Sequence, residues 1–270
     1  MNEPVKNVPS SEFRVGSPLS SARPLREGSG GEGSPPGTRA HSASAERILV
    51  GRGLRKVYIE EDGSELTVLE GVEIGVARGE IVAIVGASGA GKSTLLHLLG
   101  CLDRPTAGDV ILDGQPVAHL TERELASIRN RRIGFVFQFH HLLRDFTALE
   151  NVMMPLLIAG TARSEAAERA RDLLGRVGLS GRVTHKPNEL SGGEQQRVAV
   201  ARALVNQPAA ILADEPSGNL DTHTSEELHD LFFRLRDEHG SALVLATHNR
   251  ELADRADRVL LVKDAQLHRV

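Results

Sequence analysis

Apolar and polar positions follow two patterns along the chain from Arg47 onward. In the first pattern they alternate, which predicts antiparallel strands in ILVGRGLRKVYI and LTVLEGVEIGV. In the second, short apolar runs predict further strands, and EIVAIVG (80–86) is typical of a strand buried in a parallel sheet. The other predicted strands are DVILDG, IGFVFQ (133–138), AAILADE (209–215), SALVLATH (241–248) and DRVLLVKD (257–264).

Between these runs, Thr or Ser followed three residues later by Glu marks several helix starts, because such a pair can form a reciprocal capping box. Apolar residues at helical spacing from Ala166 to Val177 predict a further helix. Strands that alternate with helices predict an α/β fold with a mainly parallel sheet, and residues 139–190 predict an inserted helical subdomain. The four capping pairs are Thr121 with Glu124, Thr147 with Glu150, Ser191 with Glu194, and Thr224 with Glu227.

Composition separates the first 46 residues from the rest. Residues 1–46 hold nine Ser, six Gly and six Pro, so they bury too little apolar surface to offset the entropy of ordering. We therefore expect a disordered N-terminal extension at 1–46 and a globular domain at 47–270. The net charge of −4 gives no indication of nucleic-acid binding.

Two further features of the sequence bear on disulfides and on membrane segments. The single cysteine, Cys101, cannot form an internal disulfide, and its apolar neighbours predict a core position. No segment approaches the ~18 apolar residues that cross a bilayer, and we expect no secretory signal at the N-terminus. If a membrane is involved, another polypeptide must span it.

A phosphate-binding loop follows the strand EIVAIVG. GASGAGKS fits the pattern G-x-x-x-x-G-K-[ST] between a predicted strand and helix, where backbone N–H groups can surround phosphates. Lys92 is predicted to reach the β- and γ-phosphates, and the Ser93 hydroxyl is predicted to bind Mg²⁺. The predicted nucleotide-binding residues here are Gly86, Ala87, Ser88, Gly89, Ala90, Gly91, Lys92, Ser93 and Thr94.

Two adjacent carboxylates end the strand AAILADE. Neighbouring strand residues point to opposite sides, so one acid can face a metal ion while the other reaches a water molecule. We predict that Asp214 binds Mg²⁺ and that Glu215 is the general base for water attack on the γ-phosphate.

Three other side chains are candidates by position. Gln138 and His248 each end a predicted strand, at the edge where α/β folds place ligand groups. Gln138 can coordinate Mg²⁺ or water, and His248 can contact the γ-phosphate, although a lone histidine there is more often structural. Tyr58, the only tyrosine, can either stack on adenine or belong to the core.

A second glycine-rich helix start, LSGGEQQ, raises the question of what else needs an anion site. Ser191 and Glu194 can form a capping box without any further role, but that leaves Gly192 and Gly193 unexplained, because glycine weakens helices. Since one phosphate loop already surrounds one nucleotide, we predict that this helix start serves the nucleotide of a second copy.

The ordered motifs resemble those of the ATP-binding cassette (ABC) ATPases. The resemblance runs from Arg47 to the C-terminus and implies a homodimer that binds ATP and Mg²⁺. It also implies that Tyr58 stacks on adenine, that Gln138 belongs to the Q-loop, that Asp221 contacts the other protomer and that His248 is the switch histidine. The six motifs are GASGAGKS, Gln138, LSGGEQQ, ILADEP, SGNLD and ATH.

Within that family, QFHHLLRDFTALENVMMPLLIAG is similar to the lipoprotein-releasing group, with the MacB-type exporters and FtsE-type division proteins as alternatives. Ser217 and Asn249 depart mildly from the usual residues. The resemblance implies membrane permease partners of the LolC/LolE type, contacted through Phe139 to Leu143, and a peripheral location on the cytoplasmic face of the bacterial inner membrane. His140 and His141 can equally be solvated loop residues, and no residue identifies the cargo.

Two other classes of function remain open. A soluble ATPase of DNA repair or translation usually resembles tandem cassettes or carries a long coiled coil, whereas this chain has one cassette and no heptad run. A nucleotide-dependent scaffold would gate a partner with little hydrolysis. The presence of Glu215 and His248 argues against an inactive scaffold but not against gating.

Overall fold

The computed structural model describes residues 47–270, apart from the side chains at 235, 237 and 239. The predicted disorder of 1–46 therefore lies outside the described residues. None of the helices in the described part of the chain is both long and apolar enough to cross a membrane.

Ten strands are present between residues 47 and 270, arranged in two sheets. They are β1 (Arg47–Ile59), β2 (Glu65–Ala77), β3 (Ile81–Val85), β4 (Ala107–Leu112), β5 (Gln115–Pro116), β6 (Ile133–Phe137), β7 (Ala210–Asp214), β8 (Ala242–Ala246), β9 (Arg258–Lys263) and β10 (Gln266–Arg269).

Seven α-helices lie between the strands of this region, with two short 3-10 turns at Ser180–Arg182 and Pro187–Glu189. The helices are α1 (Lys92–Leu99), α2 (Glu122–Arg132), α3 (Ala148–Ile158), α4 (Arg163–Arg176), α5 (Gly192–Leu204), α6 (Thr222–His239) and α7 (Arg250–Asp254).

The larger sheet has the order β10-β9-β3-β8-β7-β6. All neighbours are parallel except β10, which pairs antiparallel with β9. Alternate residues of β8 enter two different cores: Val244 packs on the face shared with α1 and the smaller sheet, and Leu243 packs on the face shared with α3 to α6. Burial on both faces explains why these strands are apolar at nearly every position.

The smaller sheet is antiparallel, with the order β2-β1-β4-β5. Its inward side chains, such as Leu49, Leu69 and Val76, are fully buried beside α1. The predicted α/β fold with a mainly parallel sheet and an antiparallel β subdomain is confirmed.

Three of the four predicted capping boxes are present, at Thr121, Thr147 and Ser191. The fourth prediction is wrong, because α6 begins at Thr222 and is capped by Asp221. The Asp221 carboxylate accepts the Thr224 backbone N–H at 3.0 Å and the Thr224 hydroxyl at 2.6 Å. Asp is at least as good a cap as Thr and stands three residues earlier, so Thr224 falls inside the first turn.

Candidate functional site

Four neighbouring strands of the larger sheet end in predicted site residues. β3 leads into the phosphate loop, β8 is followed by His248, β7 ends at Asp214, and β6 is followed by Gln138. Because parallel strands share one carboxyl edge, these groups meet along a single border of the sheet. Backbone hydrogen bonds join the strand ends, from Thr247 N to Ile84 O at 3.0 Å and from Glu215 N to Ala246 O at 2.9 Å.

The phosphate loop needs glycine partly because of its neighbours within the chain. Gly86 has φ 152°, and a Cβ there would lie 2.6 Å from the carbonyl oxygen of Val262 in β9. Gly91 has φ 103°, and its Cβ would lie 3.0 Å from Cγ1 of Val68 in β2. The loop is therefore pressed between the two sheets, a constraint that adds to the close approach of phosphate expected from the motif.

The start of α1 suits an anion. Gly91 caps the helix without a side-chain hydrogen bond, and the first turn contains no acidic residue. Such a helix start presents backbone N–H groups and the positive end of the helix dipole. The Lys92 ammonium group donates to the carbonyl oxygens of Gly86 (2.9 Å) and Ala87 (3.1 Å). Its positive charge is therefore held against the backbone of the phosphate loop.

Glu215 and His248 are in direct contact. Nδ1 of His248 lies 2.8 Å from Oε2 of Glu215, and the backbone N–H of His248 donates to the same oxygen at 3.3 Å. The Glu215 side chain is 19% exposed and that of His248 is 73% exposed. Glu215 is thus held on one side by His248, which follows the neighbouring strand β8.

Strand alternation does not set the direction of the Glu215 side chain, contrary to the sequence argument. β7 ends at Asp214, and Glu215 adopts a left-handed backbone conformation with φ 47°. A non-glycine residue in that region is uncommon and is held there by its surroundings. The separation of Asp214 and Glu215 therefore comes from this sharp turn rather than from the pleat of a strand.

Gln138 is joined to the segment that follows Glu215. Its side-chain amide donates to Oδ1 of Asn219 at 3.0 Å, and the Asn219 amide donates to the Gln138 carbonyl at 3.2 Å. A Cβ on Gly218 would lie 2.9 Å from Nε2 of Gln138, so glycine allows this approach. Sequence reasoning assigned no role to Asn219, although it lies within the SGNLD motif.

The Ser191 turn, residues 191–194 at the start of α5, forms its predicted capping box. The Ser191 hydroxyl accepts the Glu194 N–H at 3.2 Å, and the Glu194 carboxylate accepts the Ser191 N–H at 2.7 Å. Arg182, a residue that the sequence did not single out, donates to Glu194 at 2.9 Å. The Arg182 side chain and the Ser191 N–H lower the pKa of Glu194 to about 2, so the carboxylate is ionised at neutral pH.

Different surroundings apply to the two glycines that follow Ser191. Gly193 is buried, and a Cβ there would lie 2.4 Å from Cγ2 of Thr224, so close packing of α5 on α6 requires glycine. Gly192 is exposed, and among the described residues its Cβ would meet only Leu220 Cδ2, at an ordinary 3.7 Å. Packing within the chain thus explains Gly193, which the capping box alone did not, but it does not explain Gly192.

Tyr58 is not a core residue, because the residue is 39% exposed. Its hydroxyl donates to Oδ2 of Asp103 at 3.0 Å, and Lys56 lies 4.8 Å above the ring. Burial of the hydroxyl and its bond to Asp103 raise the pKa of Tyr58, while the hydroxyl of Thr94 in α1 acts against this rise. Tyr58 therefore stands beside the start of α1 with part of its ring exposed.

A profile of the ABC transporter family matches residues 69–218, more than half of the chain. The chain belongs to the ABC transporter family. The matched region includes the phosphate loop, Gln138, the Ser191 turn and both carboxylates of the β7 end, whereas Tyr58, Asp221 and His248 lie outside it. The resemblance to the ABC ATPases that the motifs indicate is confirmed, and this chain is an ATPase.

Curated relatives are similar over most of the domain. The chain is 56% identical over 209 residues to the lipoprotein-releasing system ATP-binding protein LolD of Bacteroides thetaiotaomicron, covering 77% of this chain and 96% of that protein. It is 59% identical over 204 residues to LolD of Geobacter metallireducens, covering 76% and 91%.

A solved ABC structure supports the membership of this chain in the ABC family. The dimeric post-hydrolysis state of the ATP-binding cassette MJ0796, bound to ADP and Pi, has a TM-score of 0.76 and 40% sequence identity to this chain. The match covers 82% of this chain and 97% of that one.

The oxygen atoms predicted to bind Mg²⁺ in this ABC ATPase fit that ion. Ser93 is exposed in the first turn of α1, Asp214 ends β7, and Gln138 follows β6. A hydroxyl, a carboxylate and an amide are hard oxygen donors, and Mg²⁺ usually binds one or two carboxylates together with substrate phosphates.

Proposed function

We propose that this ABC ATPase is the ATP-hydrolysing subunit of a lipoprotein-releasing transporter. It acts as a homodimer on separate permease subunits of the LolC/LolE type, at the cytoplasmic face of a bacterial inner membrane. The observation that carries the catalytic part is the contact of Glu215 with His248 at the sheet edge that also bears the phosphate loop. The identity to LolD proteins supports the cargo class.

In this proposal, the loop N–H groups and Lys92 bind the β- and γ-phosphates. Glu215 accepts a proton from the attacking water, while His248 holds the Glu215 carboxylate and reaches toward the γ-phosphate. Ser93, Gln138 and Asp214 would hold Mg²⁺, which would neutralise phosphate charge when bound with ATP. Tyr58 supplies an aromatic face to adenine.

The site is completed by a second copy of the chain. Gly192 is exposed at the start of α5, and no contact with the residues that the structure describes requires glycine there. A backbone free of side chains allows the Ser191 turn to approach a phosphate closely. We therefore assign Ser191, Gly192, Gly193 and Glu194 to the nucleotide of the other protomer, with Asp221 near the same interface.

The segment after Gln138 offers an apolar surface to the permease. Phe139 is 63% exposed, and Leu143 and Phe146 are also exposed. Exposed apolar side chains that lie close together in the sequence can form a binding site for another protein. His140 is half-buried, and burial followed by the nearby Arg202 charge lowers its pKa, so it is not a simple solvated histidine.

Two polar side chains, partly buried Arg202 and fully buried Asn151, hold the backbone of this segment. The Arg202 guanidinium on α5 donates to the carbonyl oxygens of His140 and His141, both at 2.8 Å. Asn151 on α3 is fully buried and exchanges hydrogen bonds with both backbone groups of Leu143 at 2.8 and 3.1 Å. A backbone fixed in this way presents its apolar side chains at a low entropic cost of binding.

The catalytic assignment is tested with Glu215→Gln, which should bind ATP, hydrolyse it at least about a hundredfold more slowly, and accumulate as an ATP-bound dimer. Lys92→Ala should lose nucleotide binding or turnover. Glu165→Gln, an exposed change on α4, is the matched control. Near-normal turnover of Glu215→Gln would reject the general base.

The transport assignment is tested by reconstitution with LolC/LolE-type permeases in lipoprotein-loaded vesicles. ATP should release lipoprotein with wild-type protein, and Phe139→Asp should abolish release while the ATPase rate without permease is retained. Co-purification with an MacB-type or FtsE-type permease instead, with no lipoprotein release, would overturn the cargo assignment and leave the ATPase intact.

A further inference from the structure

A serine and a histidine form a buried pair that has no part in the mechanism above. Oγ of Ser217 lies 2.8 Å from Nε2 of His229. His229 on α6 is only 3% exposed, and Ser217 is also buried. Burial, followed by the Arg255 charge, lowers the pKa of His229, so its imidazole is neutral at pH 7 and suits a neutral hydrogen bond.

Ser217 stands at the centre of the turn that follows β7. The Gly218 N–H donates to the Glu215 carbonyl at 3.0 Å, and the Leu220 N–H donates to the Ser217 carbonyl at 3.1 Å. The two turns share Ser217 and Gly218, so Ser217 lies within the turn that begins at Glu215. The second turn contains Asn219, the residue bound to Gln138.

The turn requires external support because Glu215 is strained. Its φ of 47° is unfavourable for a residue with a side chain and persists only where neighbours hold it. One support is the backbone bond of Glu215 to Ala246 in β8. The Ser217–His229 bond supplies a second, from α6, and both residues line the same cavity of about 200 Å³ as Glu215 and His248.

We propose that His229 is a positioning residue for ATP hydrolysis, acting through the Ser217 hydroxyl to fix the turn that carries Glu215. A displaced general base loses its hydrogen bond to the attacking water, so the rate of the chemical step falls although nucleotide still binds to the phosphate loop. The same bond fixes Asn219 and hence the amide of Gln138.

The experiment measures steady-state ATPase kinetics and nucleotide affinity for the full chain. Ser217→Ala and His229→Phe should each lower kcat about tenfold and leave KM for ATP within about twofold, as expected for loss of alignment rather than binding. His229→Gln, whose amide can replace Nε2 as hydrogen-bond partner, should recover most of the rate. His223→Ala, an exposed change on the same helix, is the control.

The double variant Ser217→Ala/His229→Phe separates a shared role from two independent ones. Its kcat should be no lower than that of either single variant, because one bond is lost in all three. Multiplicative losses, a normal kcat for Ser217→Ala, or equal losses for His229→Gln and His229→Phe would overturn the proposal. Ser217→Ala removes a single oxygen atom, and thermal unfolding checks that each variant is folded.

This inference rests on the assignment of Glu215 as general base. If Glu215→Gln retains activity, that assignment fails. If Glu215→Gln is inactive while Ser217→Ala and His229→Phe turn over normally, only the positioning role fails.

Discussion

Replacing Gly193 with alanine is expected to destabilise the fold, although alanine is the better helix former. The new Cβ would lie 2.4 Å from Cγ2 of Thr224, whereas carbon atoms in contact prefer about 3.5–4.0 Å. α5 and α6 would have to separate locally by about 1 Å, and such overpacking costs about 1–3 kcal/mol. Alanine returns at most about 1 kcal/mol of helix propensity, so the net loss is about 1 kcal/mol.

Thermal unfolding of three variants tests this reasoning. A loss of about 1 kcal/mol lowers the Tm of a domain of this size by about 2–4 °C. Thr224→Ser removes Cγ2 but keeps the hydroxyl that binds Asp221, so Gly193→Ala/Thr224→Ser should recover the loss. Gly192→Ala has no clash and should keep its Tm, yet it should lose the ATP-dependent dimer. An unchanged Tm for Gly193→Ala, or no rescue by Thr224→Ser, would refute the packing explanation.

Three further changes have defined outcomes. Glu194→Gln should lower the free energy of unfolding by about 1 kcal/mol at pH 7, as measured by denaturant unfolding. Because the folded-state pKa of Glu194 is lowered from 4.5 to about 2, this difference between the variant and the wild type should shrink below pH 4.5 and vanish near pH 2. Asn151→Ala should lower the free energy of unfolding by about 3 kcal/mol in the same assay, since part-buried backbone groups such as those of Leu143 lose their partner. Tyr58→Ala should weaken ATP binding about tenfold in calorimetry, while Tyr58→Phe should not; equal affinities would contradict stacking.

Apolar runs and capping pairs predicted most elements because their signals are local. The strand at EIVAIVG and the helix after Thr147 are both present where the sequence places them. β10 was missed because Gln266–Arg269 is mostly polar and lies exposed at the sheet edge, where pairing with β9 rather than burial holds it. The cap at Thr224 was misplaced because the same motif can occur inside a first turn.

The sequence predicted the types of group at the site better than their contacts. Glu215 and His248 were chosen separately, and their direct contact depends on β7 and β8 being neighbours, which no local pattern reports. The bond from Gln138 to Asn219 joins residues 81 positions apart in the chain. The strain at Glu215 could not be predicted from the sequence either, since a positive φ at a non-glycine residue is imposed by the tertiary fold.

The capping bond of Ser191 uses only part of what a serine hydroxyl offers. The oxygen receives the Glu194 N–H through a lone pair, so the hydroxyl proton is not consumed by the cap. That proton can point outward while the helix end stays closed, and the negative charge of Glu194 is neutralised by Arg182 rather than directed at an incoming anion. Capping the helix and the proposed contact with the triphosphate on a second protomer are thus compatible for one hydroxyl group.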